Sequence, residues 1–383
     1  MASPCAQASS TPGRREQVST RIAFFIAGFG MAAWAPLVPF AQARTGLGEG
    51  ALGLLLLGLG AGSIVAMPVA GALAAKYGCR LVLIVAVGLL CLTLPLLATI
   101  SSFPLLVAAL LAFGAAVGTV DCVVNIQAVI VERASGRPMM SGFHGLFSVG
   151  GIVGAGGVSA LLTAGASPLA AILCVVLGIL LALAKAAPHL LPYGSQGDGP
   201  VFALPHGIVL FIGILCFVTF LTEGAVLDWS AVFLTTIQGA DPARAGLGYA
   251  AFASTMTIGR LTGDMIVRWI GGKAVIVMGG LLAACGLVFA TLVPAWEVAL
   301  LGYALIGAGC SNIVPVLYTA VGRQNVMPEH VAVPAITTLG YAGILAGPAA
   351  IGLVAHVAHL SVAFLLIAVL LLGVAAGGRA LRV

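Results

Sequence analysis

The sequence predicts an all-α membrane protein of twelve spanning helices arranged as two pseudo-symmetric six-helix bundles. Three observations predict it: a composition that water cannot solvate, a regular succession of apolar runs of spanning length, and a faint repeat at half the chain length. Of the 383 residues, 61% are hydrophobic and 7% charged, whereas a soluble domain carries roughly a quarter charged residues. So few charges cannot cover a water-facing surface. The 52 glycines suit the same solvent, because small residues let helices approach closely where lipid supplies no hydrophobic drive between them.

A hydrocarbon core about 30 Å thick takes about 20 apolar residues of helix. Runs of that length fall at 21–43, 50–75, 81–100, 104–131, 141–165, 168–187, 205–237, 243–267, 274–293, 296–320, 331–356 and 359–378. Pro36, Pro39, Pro68, Pro315 and Pro348 lie inside these runs, where neighbouring helices can satisfy the freed backbone groups. The gap after the second run is the sharpest, since Lys76 and Arg80 bracket Tyr77 and Gly78. Residues 1–20 read as a polar tail without the short apolar stretch of a removable signal peptide. The expected organisation is therefore a tail (1–20), one bundle (21–187), a linker (188–204) and a second bundle (205–383).

Basic residues in short loops set orientation. Arg14, Arg15, Arg21, Lys76, Arg80, Arg133, Arg137, Lys185, Arg268, Lys273, Arg323, Arg379 and Arg382 fall on one side, and only Arg44 and Arg244 on the other. Both termini are expected in the cytoplasm, with the chain in the bacterial inner membrane. The net charge of +5 is this positive-inside bias and gives no reason to expect nucleic acid. The eight cysteines, from Cys5 to Cys310, are scattered and form no Cys-x-x-Cys pair; they read as small hydrophobes between helices. No metal site and no cofactor are expected.

The repeat rests on five pairings. Trp34 matches Trp229, Leu52-Gly53 matches Leu247-Gly248, and Gly71 matches Gly263. Asp121 after Gly118 matches Asn312 after Gly309, and Gly150 and Gly154 match Gly343 and Gly347. All the offsets lie between 191 and 195 residues. Six helices plus six, related in parallel, enclose substrate between the halves near the midplane.

With this repeat in place, particular residues carry a family resemblance. They are Trp34-Ala-Pro-Leu-Val-Pro39, Asp121 and Asn125 followed by Glu132-Arg133, and Gly136-Arg137-Pro138 followed by Phe143-His144-Gly145. Ser148 and Gly150-Gly151, Glu223-Gly224 with Asp228-Trp229-Ser230, Gly259-Arg260-Leu261 with Gly263-Asp264, and Thr338-Leu339-Gly340-Tyr341 complete the set. Over nearly its whole length the chain resembles the major facilitator superfamily, and more narrowly a bacterial branch related to fucose-permease-like sugar transporters. The resemblance implies that the first, fourth, seventh and tenth helices line a central cavity. One departure stands out. The loop between the second and third helices usually carries an acidic residue after Gly-x-x-x; here Gly71 is followed by Ala75-Lys76-Tyr77-Gly78. In the second half the matching position is near Val267, and Asp264, one turn earlier, is expected to substitute for it only in part.

An ionisable group at the centre of a spanning helix costs about 2.5–3.5 kcal/mol on insertion scales, so each one points to a role. Asp121 and Asn125 are one turn apart and share a helix face; Glu132 returns to that face near the cytoplasmic end. Asp121 reads either as a substrate or proton group or as a hydrogen-bonding group to a neighbouring helix. Glu223 and Asp228 lie about 140° apart on a regular helix and cannot point the same way. Glu223 is the better candidate for the pathway, with Asp228 at its outer end. Trp34 and Trp229 either flank the cavity or sit at the membrane interface. Asn312, beside Ser311, is the neutral counterpart of Asp121 and suits hydrogen bonding to a polyol. Arg260 and Asp264 are spaced to pair one turn apart. With Glu132, Arg133 and His144 they read as a cytoplasmic gate. His144 is either a satisfied interfacial residue or a group that titrates near neutral pH.

No Gly-x-x-x-x-Gly-Lys-Ser/Thr loop or His-Glu-x-x-His motif occurs, so neither an ATP motor nor a zinc hydrolase is expected. Glu132, Arg133, Arg137 and His144 are the only candidate catalytic cluster, too thin for an enzyme. A non-transporting sensor lacks room for a signalling domain. The expectation is a monomeric secondary transporter of a small polar, sugar-like solute, working by alternating access and coupled to protons. Proton-driven export of drugs or amphipathic compounds is the alternative.

Overall fold

The computed structural model describes residues 12–47, 49–195, 203–241 and 244–381. Cys5, Arg382, the Leu52-Gly53 side chains and the 196–202 stretch of the expected linker lie outside the described residues. The helices are α1 (Arg14–Ala32), α2 (Val38–Thr45), α3 (Glu49–Tyr77), α4 (Cys79–Thr99), α5 (Phe103–Ser135), α6 (Met140–Thr163) and α7 (Pro168–Ala186). After the linker come α8 (Gly207–Thr236), α9 (Leu247–Ile270), α10 (Gly272–Leu292), α11 (Trp296–Cys310), α12 (Ile313–Arg323), α13 (Glu329–Val357) and α14 (Leu360–Gly378). Two consecutive pairs, α1 with α2 and α11 with α12, each make one broken span, giving twelve. Eleven of these are long and apolar enough to cross a bilayer by composition. The twelfth, α9, has the length but carries Arg260, Asp264 and Arg268.

Both breaks follow from proline. Pro36 and Pro39 lack the N–H that an α-helix needs there, so the chain tightens into a 3₁₀ turn over Ala35–Leu37 before α2 restarts. Pro315 sits in the first turn of α12 and leaves Ser311 and Asn312 as a turn between two helices. Pro68, Pro95, Pro334 and Pro348 are carried within continuous helices. Helix α1 starts at Arg14 and α5 runs on to Ser135, both beyond the apolar runs, because polar residues at the rim continue a helix once water can reach it.

Helices pack where glycine removes the Cβ. A Cβ on Gly150 would strike the Phe25 carbonyl oxygen, and one on Gly28 the Phe147 carbonyl oxygen, so α1 and α6 cross with their backbones nearly touching. The matching pair in the second half, α8 and α13, does the same: a Cβ on Gly343 would strike the Phe217 carbonyl oxygen. The duplication read from Gly150 and Gly343 is thus the same crossing built twice. Between the halves, α3 packs on α13 and α6 on α9.

Because those backbones are rigid, Gly150→Ala is expected to destabilise by about 1–3 kcal/mol through overpacking. Gly88→Ala, where the added methyl meets open space, is expected to leave stability unchanged. Apparent melting of the detergent-purified variants, compared side by side, checks this.

Candidate functional site

The hydrogen bonds that cross between the halves gather toward the end bearing the basic loops. Glu132, at the last turn of α5, accepts from the Met139 and Met140 N–H groups at 2.7 Å each and from the Thr319 hydroxyl at 2.5 Å. Arg133 reaches Glu329 at 2.7 Å and also donates to the Gly322 carbonyl oxygen. Glu329 accepts from Ser195 at 3.0 Å as well. Asp264 on α9 accepts from the Gly142 N–H at 3.0 Å. The start of α6 is therefore held by two carboxylates, Glu132 from its own half and Asp264 from the other. Helix N-termini have unsatisfied N–H groups and a partial positive charge, which is why acidic side chains settle there.

The expected Arg260–Asp264 pair does not form. Arg260 Nη2 lies 3.4 Å from both carboxylate oxygens of Glu223 on α8. Its Nη1 donates to the Ser148 hydroxyl at 3.1 Å, and its Nε to the Ser311 carbonyl oxygen at 3.4 Å. The reason lies in the packing around the two side chains. Arg260 is buried between helices while Asp264 turns to α6, where backbone N–H groups await it. The break at Ser311 exposes the carbonyl that Arg260 uses. Proline 315 thus reaches the site through the backbone.

Asp121 is 8% exposed and lies close to the Tyr341 side chain of the other half. Asn125, fully buried, donates back to the Asp121 carbonyl oxygen at 2.9 Å, and its own Oδ1 has no hydrogen-bond partner. Asn312 donates to the Gly259 carbonyl oxygen and the Ser311 hydroxyl, both at 3.0 Å. His144 sits between the rings of Phe24 and Tyr318, with centroids 5.2 and 5.6 Å away, and its Nε2 is buried without a hydrogen bond. Asp228 is exposed, on a different face of α8 from Glu223. Trp34 is buried in the core, and Trp229 lies beside Gly352 on α13. Neither indole N–H has a hydrogen-bond partner.

A helical, duplicated membrane fold with buried charge between its halves matches a family model for the Major Facilitator Superfamily over residues 21–333. The chain belongs to that superfamily. It is 59% identical over 375 residues to an uncharacterized MFS-type transporter of Yersinia pestis, covering 98% of each chain. It is 30% identical over 371 residues to the membrane protein MosC of Rhizobium meliloti, covering 95% of this chain and 90% of MosC. In fold it is similar to the Escherichia coli fucose:proton symporter FucP, with a TM-score of 0.81 at 16% identity over 95% of this chain and 98% of that one. This is a multi-pass membrane transporter of the superfamily.

Within this major facilitator chain, sequence reasoning missed Glu329, Thr319 and Ser195 altogether. It left Ser148 and Tyr341 without a role. One signal for Glu329 was available: it is an acid directly after Pro328, in the first turn of a helix on the basic-loop side. Its partner Arg133 lies 196 residues away, a distance no local pattern spans.

The Asp264 contact joins the halves on this side only, so breaking it is expected to favour the state in which this end is open. A hydrogen bond to a charged group contributes about 1.5–3 kcal/mol. Asp264 is partly exposed, so Asp264→Ala is expected to shift the population about five- to thirty-fold. Arg260→Gln is expected to give no relief, since the two do not touch. Spin-label distances between the ends of α5 and α12 measure the shift, and an unchanged distribution would make the contact passive.

Proposed function

We propose that this chain is a secondary active transporter moving a small polar solute across the bacterial inner membrane, coupled to protons. Its two bundles, 21–187 and 205–383, rock as bodies about a central site while 188–204 links them. The observation that carries this reading is Asp121. It is a buried carboxyl of α5, close to the Tyr341 side chain of the opposite bundle. It can load a proton on one side and release it after the Tyr341 contact has been remade or broken by rocking. The polar groups buried or half-buried in the two bundles, Asn125, Ser148, Asn312 and Tyr341, suit hydroxyl-bearing solutes more than large apolar drugs. The contacts at the basic end hold the cytoplasmic side shut, and the protein works as a monomer in the bilayer.

In proteoliposomes screened with sugars, polyols and organic acids, the wild type is expected to accumulate its solute only with a proton gradient. Asp121→Asn is expected to abolish accumulation while retaining solute counterflow. Undiminished accumulation by a properly inserted mutant would overturn the proton role.

The orientation is checked separately. Single cysteines placed in 76–80, 132–140 and 268–273 of a cysteine-free background are expected to resist an impermeant thiol reagent added to intact cells. Labelling of these loops from outside would reverse the assignment.

A further inference from the structure

Among the described residues Arg260 is the one buried cation set among the α8, α9 and α11–α12 helices, and its ion pair is loosely made. Charge-assisted N–H···O bonds run about 2.7–2.9 Å, and Arg commonly docks a carboxylate with two nitrogens. The same molecule achieves 2.7 Å between Arg133 and Glu329. Arg260 instead places one nitrogen, Nη2, 3.4 Å from both oxygens of Glu223. Nη1 spends itself on a neutral hydroxyl, Ser148, which belongs to the opposite half. The Arg260 side chain is 9% exposed and that of Glu223 16%. Arg260 thus lies at the seam between the bundles with all of its nitrogens partnered, none of them in a short charge-assisted bond.

We infer that the transported solute carries a carboxylate, that Arg260 is the site for it, and that Glu223 occupies Arg260 only until the solute arrives. This rests on the transporter reading and narrows its solute to a small hydroxylated acid. The charge balance supports it. A neutral polyol would leave the Arg260–Glu223 pair in place or strand both charges. A carboxylate replaces one anion by another, and Arg260 stays compensated. Glu223, displaced, would be an unpaired charge in a low-dielectric site, which is costly. It takes up one proton from the side facing water, becoming a neutral carboxylic acid. Solute anion and proton are then carried together and released together when Glu223 ionises and returns to Arg260. The titratable groups within electrostatic reach of the pair are Asp121 on α5, His144 on α6, Cys216 on α8, Tyr249 on α9 and Cys310 on α11. None of these is a second cation that could hold the displaced carboxylate.

The test is binding to purified protein, using gluconate, galactonate, glucuronate and lactate beside sorbitol, galactitol, glucose and propane-1,2-diol. Carboxylates are expected to raise the melting temperature and their neutral counterparts to leave it unchanged. Calorimetry in two buffers of different ionisation enthalpy is expected to show uptake of one proton per carboxylate bound. The bound state holds the extra proton, so affinity rises as pH falls, by about tenfold per pH unit at most. Glu223→Gln is expected to bind the acid without proton uptake and without pH dependence, and Arg260→Gln to lose it. Wild-type binding without proton uptake overturns the displacement of Glu223, whatever the variants do. Stabilisation by the neutral compounds and not by any carboxylate overturns the solute assignment while leaving the transporter reading intact. Failure of every compound to bind or accumulate counts against both.

Discussion

The first N–H groups of α6 have no partner in their own helix, and in a medium without water that lack must be met by side chains. Glu132 and Asp264 meet it from opposite halves of the molecule. Much of the seam is organised around this point. Glu132 also receives Thr319 from α12, and Arg133, one residue on, reaches Glu329 at the start of α13. Opening this end takes the Gly142 N–H away from its carboxylate and lets water replace it. A contact whose partners water can replace is suited to being made and broken in each cycle. The Arg133–Glu329 pair, with Arg133 55% exposed, adds little energy of its own and acts more in fixing register.

Deeper in the seam the balance differs. Water is scarcer there, so each charge must find its partner within the protein. Arg260 is compensated by Glu223 within its own bundle and touches the other bundle only through the Ser148 hydroxyl. Asp121 lies close to the Tyr341 side chain of the other bundle. The bundles therefore meet at depth through neutral hydroxyls, and separating them there strands no ion pair. Contacts that water can replace at the rim, and neutral ones within, leave no large barrier to separating the two bundles.

The two halves share a plan but not their chemistry. The glycine crossings of α1 on α6 and α8 on α13 repeat closely. The acid of the second half, Asp264, has no equivalent at the corresponding place beside Gly71, where α3 packs on the His330 carbonyl oxygen and Pro334 of α13. At the start of α13 the carboxylate belongs to that helix itself, as Glu329. Asp121 likewise lies in an unbroken helix while its counterpart Asn312 lies at a break. Duplication supplied the frame, and substitution has placed the buried acids and cations differently in the two halves.

The sequence by itself determined the solvent, the number of spans, their duplication and the family, because hydrophobic run length, basic-loop bias and glycine spacing are local properties that survive without coordinates. It also identified the residues that had to be explained, since a charge in an apolar helix is conspicuous wherever it lies. Only the tertiary structure decided who pairs with whom. Arg260 and Asp264 are ideally spaced on one helix, yet each is claimed by a different neighbour: Glu223 by packing of α8 on α9, and the α6 N-terminus by the meeting of the two halves. An i, i+4 spacing offers a few tenths of a kcal/mol. A buried guanidinium or an uncapped helix end demands more than that, so the long-range partner wins, and sequence spacing cannot reveal it.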